Sequence, residues 1–364
     1  MATDIDINVR QVTPKGAKRA ILRAHRRKRP IFLWGQPGIG KSDIVNQLGD
    51  DLNAHVIDVR LSLWEPTDIK GIPYFDPEIK KMVWGSPVEL PDQELASQHK
   101  NIILFLDEMN SAAPSVQAAA YQLILNRKVG TYTLPDNVYI IAAGNREGDR
   151  GVVNRMPAPL ANRFVHIEMI SSYDDWFEWA VKNGEHPDVI GYITFDKASL
   201  NDFRPNSGRS FATPRSWSFV SELIYDDDNE ETTMDLVSGS IGEGLAIKFM
   251  GHRRNSAGLP NPTDILSGKV EKISTKEVSA MYSLTVALCY ELKDSNEKDD
   301  EKVFAKKFDR FLKFSMDNFD TEMVVMGVKI AMTQYGLVVD VDEAPHFEKF
   351  HNKYGKYITA ANRA

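Results

Sequence analysis

Eight residues constrain this chain more than any others: Gly35-Gln36-Pro37-Gly38-Ile39-Gly40-Lys41-Ser42, a complete G-x-x-x-x-G-K-S. The apolar run Pro30-Ile31-Phe32-Leu33-Trp34 leads in, and a helical pattern with Ile44, Val45, Leu48 and Leu52 on one face leads out. In such a strand–loop–helix the glycines let successive backbone N–H groups turn toward a phosphate, and the helix N-terminus adds partial positive charge there. Lys41 is then placed for the β- and γ-phosphates, and Ser42 offers its hydroxyl to Mg²⁺. The nucleotide-contacting stretch runs from Gly35 through Asp43. ATP with Mg²⁺ is the cofactor pair this loop calls for.

A second signal stands roughly 65 residues downstream, in Ile102-Ile-Leu-Phe-Leu-Asp-Glu108. An apolar strand ends there in two adjacent carboxylates, at the edge where α/β sheets bind ligands. Asp107 is placed to support Mg²⁺. Glu108 is placed to polarise an attacking water, because phosphoryl transfer needs a positioned nucleophile and neutralised charge. An apolar strand capped by acids is common by itself; the phosphate loop upstream gives it meaning.

Around these motifs, short apolar runs at 55–63, 101–106, 138–143 and 164–169 alternate with helical patterns, one of them opening at Pro114 and burying Val116, Ala120 and Leu123. Runs of that kind suit a parallel sheet covered on both faces, so the expected fold is α/β, a doubly wound parallel sheet. Beyond Ser171 the pattern turns helical. Ser172 with Asp175, and Ser274 with Glu277, read as capping boxes, and Gly184 as a helix stop. The expected organisation is an α/β nucleotide-binding domain over 1–170, a helical lid over 171–266 and a C-terminal helical region over 267–364. Phe304, Phe308, Phe311 and Leu312 in that last region read as core.

Composition bounds the class. With 364 residues, 42% apolar and 26% charged, the chain has an ordinary globular balance and room for one large domain and a smaller one. A net charge of −7 argues against a general nucleic-acid coat, which is normally basic. One cysteine, Cys289, permits no intrachain disulfide and favours a reducing, cytoplasmic setting. The opening MATDIDINVR has no apolar core behind a positive start, so it does not read as a secretory signal. No apolar run approaches the roughly 18 residues that a membrane span needs. His346 and His351 are five apart, off one helical face, and do not make a zinc site.

With these motifs in order, the chain resembles an AAA+ ATPase of the MoxR branch, within the wider dynein-related group, over roughly residues 15–225. Leu61-Ser-Leu-Trp-Glu-Pro-Thr-Asp-Ile-Lys-Gly71 is similar to the family segment in which Asp and Gly follow a polar turn. Val138-Tyr-Ile-Ile-Ala-Ala-Gly-Asn145 resembles the sensor-1 strand, which implies that Asn145 holds the lytic water and γ-phosphate. Leu160-Ala-Asn-Arg-Phe164 resembles the arginine-finger motif, implying that Arg163 reaches into a neighbouring subunit's site. Thr213-Pro-Arg215 resembles the start of the sensor-2 helix, implying that Arg215 touches the γ-phosphate from the lid. One departure is Arg146, where family members often carry proline; it leaves open a share for Arg150 or Arg155 in the role of Arg163.

The resemblance implies a homo-oligomer, a hexameric ring, that hydrolyses ATP to remodel or mature a protein partner. Ser172-Tyr-Asp-Asp-Trp-Phe-Glu-Trp-Ala180 is similar to relatives that work with a von Willebrand A-type protein. Residues 72–92, with Tyr74, Phe75, Val83 and Trp84, and residues 127–136 read as two hairpins. Their aromatics either pack onto the domain or face a pore or partner. A nucleic-acid-stimulated motor or loader is the rival, motivated by Arg26-Arg27-Lys28-Arg29 and by the arginines at 146, 150 and 155. Those four cations also suit a helix C-terminus.

Overall fold

The computed structural model describes residues 10–146, 148, 149, 154, 156–204, 208–225, 229–274 and 277–361, with side chains as far as 357. They form two compact units, residues 1–172 with 203–206, and residues 173–202 with 207–364.

The first unit runs β1 (Gln11–Val12), α1 (Pro14–His25), β2 (Ile31–Trp34), α2 (Lys41–Leu52), β3 (His55–Arg60), α3 (Pro66–Lys70), β4 (Ile72–Asp76), β5 (Lys81–Gly85) and α4 (Gln93–Gln98). It continues with β6 (Ile102–Asp107), α5 (Pro114–Asn126), β7 (Lys128–Val129), β8 (Tyr132–Thr133), β9 (Val138–Gly144), α6 (Ala158–Ala161) and β10 (Val165–Met169). Six strands form one parallel sheet in the order β1-β10-β2-β9-β6-β3. The expected doubly wound α/β architecture is therefore present.

Alternation decides which face each side chain covers. Ile102, Leu104 and Leu106 of β6 enter one core with Val116, Ala120 and Leu123 of α5. Ile103 and Phe105 enter the other, with Ile21 of α1 and Ile44, Val45 and Leu48 of α2. Each such side chain, fully buried, contributes roughly 1.5–3 kcal/mol. Both faces are covered, which is why these strands read as unbroken apolar runs.

Local signals set most boundaries, with one shift. Thr13 caps α1 by accepting from the Gly16 N–H at 3.3 Å. The helix ends at His25, and Lys28 follows in the left-handed region. The apolar run expected over 55–63 is strand only to Arg60; Leu61–Leu63 is a 3₁₀ turn that buries Leu61 and leaves Leu63 exposed.

Both expected hairpins form, as antiparallel β4–β5 and β7–β8. Their aromatics divide. Tyr74 and Phe75 are exposed. Trp84 is half-buried, and its carbonyl accepts from the Thr131 hydroxyl at 3.1 Å, which ties the two hairpins together. Tyr132 is buried, with its hydroxyl donating to the Pro91 carbonyl at 2.6 Å.

The second unit is helical: α7 (Tyr173–Asn183), α8 (Pro187–Phe195), α9 (Pro214–Leu223), α10 (Glu230–Ile241), α11 (Glu243–Ser256), α12 (Pro262–Ser267), α13 (Val278–Lys298), α14 (Glu301–Asn318), α15 (Thr321–Lys329) and α16 (His346–Ala361). Gly184, with φ of 75°, stops α7. Helices on either side of residue 266 share one hydrophobic core, through Trp176, Trp217, Phe249, Leu266, Phe308, Phe311 and Phe350. Phe304, Phe308, Phe311 and Leu312 are all buried in it, as their pattern required.

The expected cap at Ser274 is corrected. The helix opens at Val278, four residues beyond Ser274, with Glu277 at the N-cap position and no side-chain cap bond. Of the acidic run 226–231, Asp226 to Asp228 lie outside the described residues. Asn229 caps α10 by accepting from the Thr232 N–H at 2.9 Å, and Glu230 and Glu231 enter its first turn. His346 pairs with Asp309 at 2.8 Å. Among the described residues no helix is long and apolar enough to cross a membrane.

Candidate nucleotide site

Strand order assembles the site. Because β9 lies between β2 and β6, the segments leaving their carboxyl ends emerge side by side. Those segments are the loop from Gly35, the pair Asp107–Glu108 and Asn145.

The loop turns on two glycines with positive φ, Gly38 at 74° and Gly40 at 90°, a backbone region that side chains with a Cβ rarely adopt. Gly35 has a different reason for its size: a Cβ there would meet the Ile39 side chain at 2.5 Å and the Met169 carbonyl at 2.9 Å. Lys41 opens α2 and is only 9% exposed. Its ammonium donates to the Gly35 and Gln36 carbonyls, at 2.8 and 2.9 Å, and to Asn145 Oδ1 at 3.0 Å. A cation this buried needs such partners, and they draw Asn145 onto the loop. Pro37, Ile39 and Asp43 lie in the same loop and first helical turn.

The acidic side is equally close. Ser42 Oγ donates to Asp107 Oδ2 at 3.1 Å. The other oxygen, Asp107 Oδ1, accepts the Glu108 N–H at 2.8 Å. Glu108 sits at φ 53°, in the left-handed region, and its carboxylate accepts a very short hydrogen bond from the Ser62 hydroxyl. Burial raises the Asp58 carboxyl above its ordinary range, and the charges of Asp107 and Glu108 add to the rise while Arg60 opposes it.

Arg146 is committed within its own unit. It pairs with Asp149 at 2.9 Å and Glu168 at 3.1 Å, and its hydrogen bonds to Asp149 hold the guanidinium above its usual value. Arg150 and Arg155 lie outside the described residues.

One of the sequence candidates, Arg163, stands apart from this cluster within the first unit. Arg163 is exposed and follows the short α6, just before the amino end of β10. Val165, two residues on, pairs with Ile31 at the start of β2, whereas the loop begins after Trp34 at its end. The four residues from Ile31 to Gly35 correspond to about 13 Å of strand. Arg163 therefore lies on the opposite edge of the sheet from its own chain's loop. Arg215 belongs to the second unit, exposed in the first turn of α9, where Thr213 and Ser216 form a reciprocal cap.

Three further residues join the site without having been given a role in the sequence reading, although Ser62 and Gly144 lie inside motifs that carry the family resemblance. Ser62 holds Glu108, as described. Asn110 is 1% exposed and donates from Nδ2 to the Asn145 carbonyl at 2.6 Å. Gly144 gives that amide its room, since a Cβ there would fall 2.1 Å from Asn110 Oδ1. Nothing in local periodicity marks Ser62 or Asn110; only the pairing of β3 with β6 and of β6 with β9 brings them in.

A glycine loop with a buried lysine, a hydroxyl against an aspartate, and a glutamate beside them form the arrangement of a P-loop nucleotide fold. Comparison with known proteins gives the particular type: residues 31–172 match the model of the ATPase family associated with various cellular activities (AAA). That stretch of the chain is thus similar to an AAA ATPase domain. Midasin of Giardia intestinalis is 28% identical over 173 residues, which are 45% of this chain and 3% of that relative's length. Among solved structures, a proposed ATPase from Cytophaga hutchinsonii is 13% identical, covering 88% of this chain and 81% of its own, with a TM-score of 0.35. The RuvB Holliday junction branch migration motor of Thermotoga maritima is 18% identical, covering 71% and 75%, with a TM-score of 0.36.

Proposed function

We propose that the chain is a MoxR-like AAA+ ATPase of the cytoplasm, working as a homo-oligomeric ring, a hexamer, that couples Mg–ATP hydrolysis to remodelling or maturation of a protein partner. The partner class is a von Willebrand A-type protein. The observation that carries the ring is the position of Arg163, exposed on the sheet edge away from its own loop. From there it serves a site only on another copy.

Lys41 and the loop amides bind the phosphates. Ser42 Oγ and Asp107 Oδ2, hard oxygen donors 3.1 Å apart, would hold one Mg²⁺. An ion held there would supply charge neutralisation for the β- and γ-phosphates. Glu108 orients the attacking water and takes its proton as the bond to the leaving ADP breaks. Asn145 holds the water and the γ-phosphate. Arg163 of the neighbouring copy stabilises the transferring phosphoryl group, a contribution of about 10³–10⁵ in rate. Arg215 contacts the γ-phosphate from the helical unit and couples its state to ring shape.

The rival reading, a nucleic-acid-stimulated motor, draws on the exposed cations Arg26, Arg27, Lys28 and Arg29. One experiment separates the two. Glu108→Gln and Arg163→Ala, each inactive alone, are mixed and assayed with and without DNA. Restored turnover is expected, because mixed interfaces pair an intact site with an intact arginine. Failure to restore it, with co-assembly seen by size, sinks the shared site. Stimulation by DNA that falls steeply with salt replaces the protein partner with a nucleic acid.

A further inference from the structure

The end of β9 is fastened at three points. The Gly144 carbonyl accepts the Gly35 N–H at 3.3 Å. The Asn145 side chain accepts from Lys41 at 3.0 Å. The Asn145 carbonyl accepts from Asn110 Nδ2 at 2.6 Å. The third bond comes from the turn that also carries Glu108, two residues earlier. Asn110 further accepts the Asn154 N–H on its own backbone carbonyl at 2.7 Å, so the turn is braced on both sides.

The Asn110 amide satisfies its donor at the expense of its acceptor. Its Oδ1 is buried and has no hydrogen-bond partner among the described residues. Reversing the amide would place that oxygen against the Asn145 carbonyl, which only accepts. A buried orphan acceptor is costly, but two acceptors face to face would cost more, so the bond to the Asn145 carbonyl sets this orientation. Gly144 leaves room for it, since a Cβ there would fall 2.1 Å from Asn110 Oδ1.

From this geometry we infer that Asn110 is a positioning residue for Asn145: it fixes the backbone from which the Asn145 side chain meets Lys41, and so keeps that side chain in register with Glu108. The inference rests on the ATPase reading of the site and adds a residue to it. Asn110 touches neither Lys41 nor Glu108 through its side-chain bond; it acts through Asn145.

The test is a double-mutant cycle. Asn110→Asp keeps the shape but replaces the donor with an oxygen that faces a carbonyl. In the wild-type background it should lower kcat roughly 10- to 100-fold, the scale of a 1 Å misplacement. Affinity for a fluorescent ATP analogue should stay within about 3-fold, a split that general damage to the loop would not give. In an Asn145→Ala background the same substitution should change turnover, read by single-turnover assay, less than about 2-fold. Asn145→Ala keeps the backbone carbonyl, so a merely structural Asn110 would cost as much in both backgrounds. That equality, or losses that follow Tm, would overturn the inference. Should Asn110→Asp not fold, Asn110→Ala carries the same cycle.

A crystal structure of the variant gives a readout independent of turnover. Asn145 Oδ1 should leave Lys41 Nζ; an unchanged contact refutes the positioning role. Wild-type protein that neither binds nor hydrolyses ATP would remove the functional reading instead, and the crystal structure would still judge the clamp.

Discussion

Two demands meet at Glu108. Its backbone is held at φ 53°, a conformation that costs a residue with a Cβ roughly 1–2 kcal/mol, and its carboxylate is engaged by the Ser62 hydroxyl. The strained turn aims the side chain, while Ser62 competes with water for the carboxylate lone pairs. Hydrogen bonds to charged groups contribute about 1.5–3 kcal/mol, so release of this one bounds the gain at about 10- to 100-fold in rate. Ser62→Ala is therefore expected to raise basal ATP turnover several-fold, with nucleotide affinity unchanged. Steady-state kinetics beside a binding titration decide it: a fall in kcat would mean that Ser62 orients Glu108 rather than restrains it.

Among the elements, the hairpin β4–β5 depends on one position that no side chain tolerates. Gly71, after α3, has φ of 83°, and a Cβ there would stand 1.8 Å from the Gly85 carbonyl. Gly71→Ala must displace the hairpin's base. Strain of this kind costs on the order of 2 kcal/mol or more, which for a unit of this size lowers Tm by about 4–8 °C. Trypsin should cut sooner at the exposed Lys80 and Lys81 near the hairpin's turn; Tm within about 1 °C and unchanged cleavage would show that the hairpin does not depend on Gly71. The phosphate loop, Asp107 and Glu108 are each announced by an apolar run ending in a particular residue type, a signal contained in a few neighbours; Gly71 and Asn145 are pointed to by the family resemblance instead. Ser62 has no such signal, because its meaning comes from a partner 46 residues away, across the pairing of β3 with β6. Asn110 likewise acquires its role from the end of β9, 35 residues on. The false cap at Ser274 fails for the opposite reason. The local pattern is present, but the helix starts at Val278, four residues beyond Ser274, where Ser279 and Ala280 begin to bury.

For the whole molecule, the same sheet sends its two kinds of functional group to opposite edges. Lys41, Ser42, Asp107, Glu108 and Asn145 gather at the carboxyl ends of the strands, and Arg163 waits at the amino end of β10. On the proposed ring reading, a chain arranged this way lacks one arginine at its own site, and head-to-tail assembly would supply it from the next copy. Such contacts are heterologous, closing into a ring when the rotation allows. Turnover per subunit should then rise with protein concentration and level off once assembly is complete. On dilution it should fall by an amount set by the missing arginine, up to about 10³-fold or more. Arg163→Ala should remove the rise and leave a low, flat rate at every concentration, because its assembled sites gain nothing from their neighbours. Assays over a dilution series, paired with light scattering, make the comparison. Wild-type turnover that stays constant while the particles dissociate would mean that one chain completes its own site, and the division of labour across the sheet would have to be assigned another purpose.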